Sequence, residues 1–313
     1  MRSEELLELF RQGGRRCLVV GGAENGVAAG LDLEGRLFAW RKGEVLHRVN
    51  PDAFAQQSHA GQYFNPGGDG FWPAPEGSRF GYLYGAGAWR VPPSLTGARY
   101  RVMEQSPDFA RIRAELDLIN ASGRGLAVAF ERAVAATVTP MGLRMVVADS
   151  IEYLGPGELS ENEVRLAPWT LAQFDTSPGM EVVFPACPAE AVRDYYEPSG
   201  NLRRLEEGFW HTKTEGGQKY QIGLAESVPW IELRVPSRKM RVMRRASPLA
   251  PGERHIDIAD QAPTAEPLDF GARYSVYNDG GAFMEIEAVG PFCAPLRAGA
   301  RLAHRVTTEF SFG

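Results

Sequence analysis

Apolar residues fall at every second position over much of this chain. Ala110, Ile112, Ala114, Leu116 and Leu118 alternate with Arg111, Arg113, Glu115 and Asp117. Ile231, Leu233 and Val235 alternate with Glu232 and Arg234, and Leu302, Val306, Phe310 and Phe312 oppose Arg301, Arg305, Glu309 and Ser311. A period of two puts one face of a strand in a core and leaves the other wetter. The same reading predicts strands near 17–20, 37–41, 126–138, 141–153, 181–184 and 240–244.

Only the first residues break this rhythm. Leu6, Leu7, Leu9 and Phe10 lie among charges with helical spacing, which predicts a short amphipathic helix over 1–13 with Ser3 as its N-cap. Thereafter 35 glycines and 22 prolines punctuate the strands, and no long helical pattern alternates with them. Strands in series without helices predict an all-β, antiparallel sandwich rather than a parallel α/β sheet. No low-complexity linker or internal repeat divides the chain, so one domain over 1–313 is expected. The run Val19-Val20-Gly21-Gly22-Ala23-Glu24-Asn25-Gly26 imitates a phosphate-binding loop. A dinucleotide site needs a helix to follow it, and here a turn at Glu34-Gly35-Arg36 leads into another strand. The segment therefore reads as a strand and a turn.

Composition narrows the partners. A net charge of -5 offers no basic field for nucleic acid, and no segment is apolar for long enough to span a bilayer as a helix. No signal peptide is visible at the N-terminus. Three widely separated cysteines, Cys17, Cys187 and Cys293, match no metal spacing and suit a reducing cytoplasm. The expected partner is a small neutral molecule.

Chemistry concentrates in four segments. Residues 64–93 hold Gly67-Gly68-Asp69-Gly70-Phe71-Trp72-Pro73, then Glu76, Arg79 and Trp89. Glycines allow close backbone approach, Trp72 and Trp89 offer flat faces with an N–H edge, and Asp69, Glu76 and Arg79 can pair with hydroxyls. That combination suits a sugar ring; the alternative is that both tryptophans fill core. Trp169 marks the second segment. The third, Phe209-Trp210-His211-Thr212-Lys213, offers His211 as a general acid and Lys213 as a binding group, or an ordinary half-buried strand histidine. The fourth contains Asn278, Asp279 and then Met284-Glu285-Ile286-Glu287. Alternation places Glu285 and Glu287 on one face, where crowding raises a carboxyl pKa, unless the strand simply faces solvent.

Taken in order, Gly67–Gly77, Trp89 with Pro92, Leu166–Trp169, Tyr277-Asn278-Asp279-Gly280, Met284–Glu287 and the terminal strand resemble the galactose-mutarotase-like (aldose 1-epimerase-like) superfamily. The likeness is greatest to an uncharacterised bacterial family within it. It implies a β-supersandwich that holds a carbohydrate on its concave face, with no metal and no organic cofactor. It also implies a C-terminal glutamate as base, matched here by Glu285 with Glu287 as the fallback. Both histidines of the mutarotase pattern are replaced, one by Pro66 and the other by Trp169. Two functions are thus expected: a sugar mutarotase or epimerase, or a sugar-binding or sensing protein without turnover.

Overall fold

The computed structural model describes residues 1–59, 61–82 and 91–313. Trp89 therefore lies outside the described residues. The alternating segments form two large antiparallel sheets, the sandwich expected from their period.

The near sheet runs, in spatial order, through Cys17–Gly21, Asn25–Gly30, Leu37–Arg41, Asp69–Ala74, Ala167–Asp175, Phe283–Val289, Tyr274–Asn278, Tyr220–Leu224 and Val192–Asp194. Glu44–Val45 pairs beside Leu37–Arg41. The far sheet runs through Arg203–Glu206, Phe209–Lys213, Glu181–Pro185, Ile231–Val235, Met240–Ala246, Arg301–Phe312, Gly142–Tyr153, Gly125–Thr139, Phe109–Ile119 and Arg101–Gln105.

The main core lies between these sheets. Leu116, Phe130, Val147, Val242 and Phe310 face Leu37, Phe71, Ala172, Val276 and Ile286 there. On the outer face of the far sheet the intervening positions form ion pairs, such as Arg113 with Glu152 at 2.7 Å and Arg144 with Glu309 at 2.7 Å. Such surface pairs add little, roughly 0–1 kcal/mol each. Their polarity keeps that face wet.

The outer face of the near sheet is treated differently, and this creates the site. At one end the N-terminal helix Ser3–Gln12 lays Leu6 and Phe10 over Ala28, Phe38 and Trp40. The helix cap is Arg2, one residue before the expected Ser3, and the Glu5 carboxylate accepts the Arg2 backbone N–H at 2.6 Å. At the other end Ile256 and Ile258 cover Ala74, Trp169 and Val289. Between these two coverings a strip of the sheet stays open to a cavity.

The glycine-rich runs have turn and packing roles. Cys17–Gly21 and Asn25–Gly30 form a hairpin, with Gly21 at φ 91°. Gly67 and Gly68, at φ 85° and 71°, swing the chain into Asp69–Ala74. A Cβ on Gly67 would strike the Arg48 carbonyl, so backbone and not a ligand makes the close approach.

Buried charge crosses the core. Arg132 pairs with Asp69 at 2.6 Å and with Asp149 at 2.8 Å, while Arg244 pairs with Asp69 at 3.1 Å. Burial alone would raise the Asp69 pKa, but Arg244 and Arg132 hold it below the usual value. Asp149, with one arginine contact, is pushed up to about 6 by burial.

Candidate functional site

Strand register explains which side chains meet in the open strip. On the outer face, Leu171, Glu287, Ser275 and Gly223 stand opposite one another across four strands. One step along, Gln173, Glu285, Tyr277 and Gln221 form a second row. Alternation sends Met284, Ile286 and Ala288 into the main core and leaves Glu285 and Glu287 facing outward.

The resulting cavity measures about 430 Å³, within the range of roughly 300–1,000 Å³ typical of small-molecule sites. Trp72, Trp169 and Tyr63 form one wall, and Tyr196, Tyr277 and Phe283 form the other. Trp72 and Trp169 meet edge to face at 5.8 Å. Glu285 and Glu287 lie at the floor, while Glu76, Asp260, Asp279, Lys219, Asn65 and Gln221 supply further polar lining. The Lys219 ammonium lies 4.9 Å from the Tyr196 ring and 5.7 Å from that of Tyr277. The Tyr277 hydroxyl donates to Asp279 at 3.2 Å.

The two glutamates are the buried acidic pair of the cavity. Both are buried, Glu285 at 6% exposure and Glu287 at 0%. Their carboxyls interact across the shared face, and buried like charges favour one held proton over two full charges. Burial raises both pKa values, and the neighbouring Glu285 charge drives Glu287 higher still. Glu285 is the better stabilised anion. The Gln173 side-chain amide donates to it and the Arg36 guanidinium lies near it. Arg36 is itself held by Glu34 at 3.0 Å and by the Tyr63 hydroxyl at 2.8 Å. Glu287 accepts from the Trp169 indole N–H at 3.0 Å and from Gln221 at 3.4 Å. Within the pair, Glu287 is the group pushed further toward the carboxylic acid, and Glu285 is the one whose anion has the better partners.

Of the residues singled out in the sequence, Trp72, Glu76, Trp169, Asp279, Glu285 and Glu287 come together around this cavity. The others stand elsewhere. Asp69 points the opposite way from Trp72, into the core and onto Arg132 and Arg244. His211 and Lys213 lie on Phe209–Lys213 in the far sheet. There His211 bonds Glu181 at 3.0 Å, a strand histidine held by a carboxylate. Lys213 points to solvent near Glu215. Arg79 pairs with Glu266 at the surface and donates to the Asn162 carbonyl. Asn278 donates to the Gln218 carbonyl at 2.7 Å and so ties down the loop that carries Lys219.

Sequence reasoning missed Tyr63, Gln173, Tyr196, Lys219, Gln221 and Tyr277 as site residues. Gln221, Tyr277 and Gln173 gain their meaning from pairing with the Glu285 row, and that register has no local sequence signal. Among the described residues, no group of three or more His, Cys, Asp or Glu side chains is arranged to hold a metal ion. No helix among them is long and apolar enough to cross a membrane.

The sandwich and its covered near sheet share the fold of galactose-mutarotase-like proteins. The chain belongs to a family of unknown function, DUF6786, whose model matches residues 37–229. Solved structures share the fold at low identity. A galactose mutarotase-like protein from Lactobacillus casei ATCC 334 aligns with TM-score 0.59 and 9% identity, over 94% of this chain and 100% of that one. A candidate aldose 1-epimerase from Escherichia coli K12 aligns with TM-score 0.60 and 11% identity, over 96% and 100%. A galactose mutarotase-like protein from Clostridium acetobutylicum gives 0.53 and 11%, over 96% of each chain. Comparison with curated proteins gave no match.

Proposed function

We propose that this protein is a sugar mutarotase in which the Glu285–Glu287 pair performs the proton transfers. The observation that carries this reading is the pair of buried carboxyls on one strand face at the floor of an aromatic-walled cavity. Aromatic faces suit the C–H faces of a pyranose, and the polar lining suits its hydroxyl rim.

The chemistry needs one base and one acid close together, because the anomeric hydroxyl and the ring oxygen are bonded to the same carbon. The Glu285 carboxylate takes the proton from the anomeric O1. The Glu287 carboxylic acid gives its proton to the ring oxygen O5. The C1–O5 bond breaks as the C1=O1 bond forms, giving the open-chain aldehyde. Rotation about C1–C2 presents the other carbonyl face, and the reverse transfers close the ring. Such positioned acid–base catalysis is worth roughly 10²–10⁴-fold per group.

One observation favours a second reading, a sugar-binding protein without turnover. Glu287 is fully buried and already serves the Trp169 and Gln221 donors, as a ligand-orienting anchor would. Anomer exchange followed by NMR on a panel of free aldoses separates the two. The mutarotase reading expects acceleration over buffer, lost by roughly 10²–10⁴-fold in Glu285→Gln and in Glu287→Gln. Saturable sugar binding without any acceleration would establish the binder instead. The free thiols of Cys17, Cys187 and Cys293 fit a cytoplasmic setting for either activity.

A further inference from the structure

Arg244 belongs to Met240–Ala246 in the far sheet, yet its guanidinium ends against the back of the site. It is 1% exposed and reaches across the core. One terminal nitrogen donates to the Ile286 carbonyl at 2.8 Å. The other donates to the Thr170 hydroxyl at 3.0 Å and pairs with Asp69 at 3.1 Å.

These three partners lie on three adjacent strands of the near sheet, Phe283–Val289, Ala167–Asp175 and Asp69–Ala74. Ile286 is the residue between Glu285 and Glu287. Thr170 follows Trp169, whose indole holds Glu287. Asp69 begins the strand that carries Trp72. A single side chain therefore grips, from behind, the strands that bear the carboxyl pair and both tryptophans. Ladder hydrogen bonds set the spacing of neighbouring strands but resist local twist and tilt only weakly, and the carboxyls turn with their backbone. A planar guanidinium delivers several donors in fixed directions, which a flexible ammonium does not.

Arg132 is the instructive contrast. It belongs to the same buried network and contacts Asp69, Asp149 and the Gly35 carbonyl, but it makes no hydrogen bond to the glutamate strand. Among the described residues, Asp149 is hydrogen-bonded to Arg132 alone, on the far side of that network. Within one charge cluster, the link to the site runs through Arg244.

We infer that Arg244 is a positioning residue that fixes the orientation of the Glu285–Glu287 pair toward the cavity. As a determinant of turnover, this role rests on the proton-transfer reading of the pair. As a determinant of the pair's environment, it does not.

The test uses the full-length protein with Arg244→Lys and Thr170→Val, and Asp149→Asn as the control that loosens the same network away from the site. Thr170→Val removes one acceptor at nearly constant volume, so it reports even if Arg244→Lys does not fold. The first readout needs no turnover: the carboxyl carbons of glutamate labelled with carbon-13 are titrated by NMR, with Glu285 and Glu287 assigned from their Gln variants. Both site-linked variants are expected to shift the carboxyl resonances and titration of the pair, while Asp149→Asn leaves them in place even where its melting temperature falls as far. The second readout is anomer exchange. Here kcat is expected to fall by up to roughly 10²-fold, the scale of an ångström-sized misplacement, with KM little changed.

Wild-type titration in both site-linked variants would overturn the inference. So would a change in Asp149→Asn of equal size for an equal loss of melting temperature, which would make Arg244 a purely structural pin. Absence of exchange in the wild type would instead remove the mutarotase reading, and the titration would still decide the role of Arg244.

Discussion

At the scale of the residue, Trp169 illustrates how this site departs from the mutarotase pattern. It stands where the sequence comparison expects a histidine, and its indole N–H donates to Glu287 at 3.0 Å. An indole N–H is far too weakly acidic to serve as a general acid near neutrality, so it holds the carboxyl in place, and under the proposed mechanism the acid work falls to the carboxyl pair. The buried histidines serve no such role. His304 faces Arg244 and Arg132 in the core, and burial lowers its pKa to about 3. Its folded value lies below the unfolded value of 6.5, so the unfolded chain takes up the proton first as pH falls. Its contribution to stability is present above pH 6.5 and declines steadily from there toward about 3. Replacing it by leucine is expected to remove this dependence. Between neutrality and about pH 4.5, His304→Leu should gain about 2–3 kcal/mol relative to wild type in urea unfolding. Parallel stability curves for the two proteins would contradict the assignment.

At the scale of the element, the near sheet uses missing side chains to seat large neighbours on its outer face. A Cβ on Gly223 would collide with the Tyr195 hydroxyl and ring, and one on Gly70 would collide with the Arg36 guanidinium. Both glycines are extended, so space and not backbone angle is the reason for them. Arg36 is in turn fixed by Glu34, Tyr63 and the Gly67 carbonyl, and it cannot move aside freely. Gly70→Ala is expected to cost roughly 1–3 kcal/mol through overpacking. It should also displace the cation nearest Glu285 and thus raise the titration midpoint of the carboxyl pair. Unchanged stability together with unchanged glutamate titration would show that Arg36 has room to spare.

At the scale of the molecule, one sheet face is partitioned between two coverings and a cavity. The N-terminal helix supplies the first covering, with Phe10 packed edge-on against Phe54 at 4.8 Å and Phe38 at 6.1 Å. Phe10→Ala is expected to cost roughly 3–5 kcal/mol, read as a lower urea midpoint. Phe10, Phe38 and Phe54 form a cluster apart from the cavity lining, so under the proposed function sugar affinity should persist in the folded variant. Loss of affinity at full folding would tie the helix to the site after all.

Alternation along 110–118, 231–235 and 301–312 was enough to determine an antiparallel sandwich, because a period of two is a local property of the chain. It also placed Glu285 and Glu287 on a common face, while residue type and the family resemblance put Trp72 and Trp169 among the candidates. What alternation leaves open is which face of a strand is inside when both are covered. Asp69 and Trp72 are three residues apart, and only the tertiary structure sends one into a core ion network and the other into the cavity. His211 looked like an acid until the far sheet placed it beside Glu181. The partners that make Glu285 and Glu287 chemically distinct, Arg36, Gln173, Trp169 and Gln221, come from other strands and loops. Their contact depends on register and on the crossing of two sheets, which arise from packing over the whole chain and leave no mark at any one position.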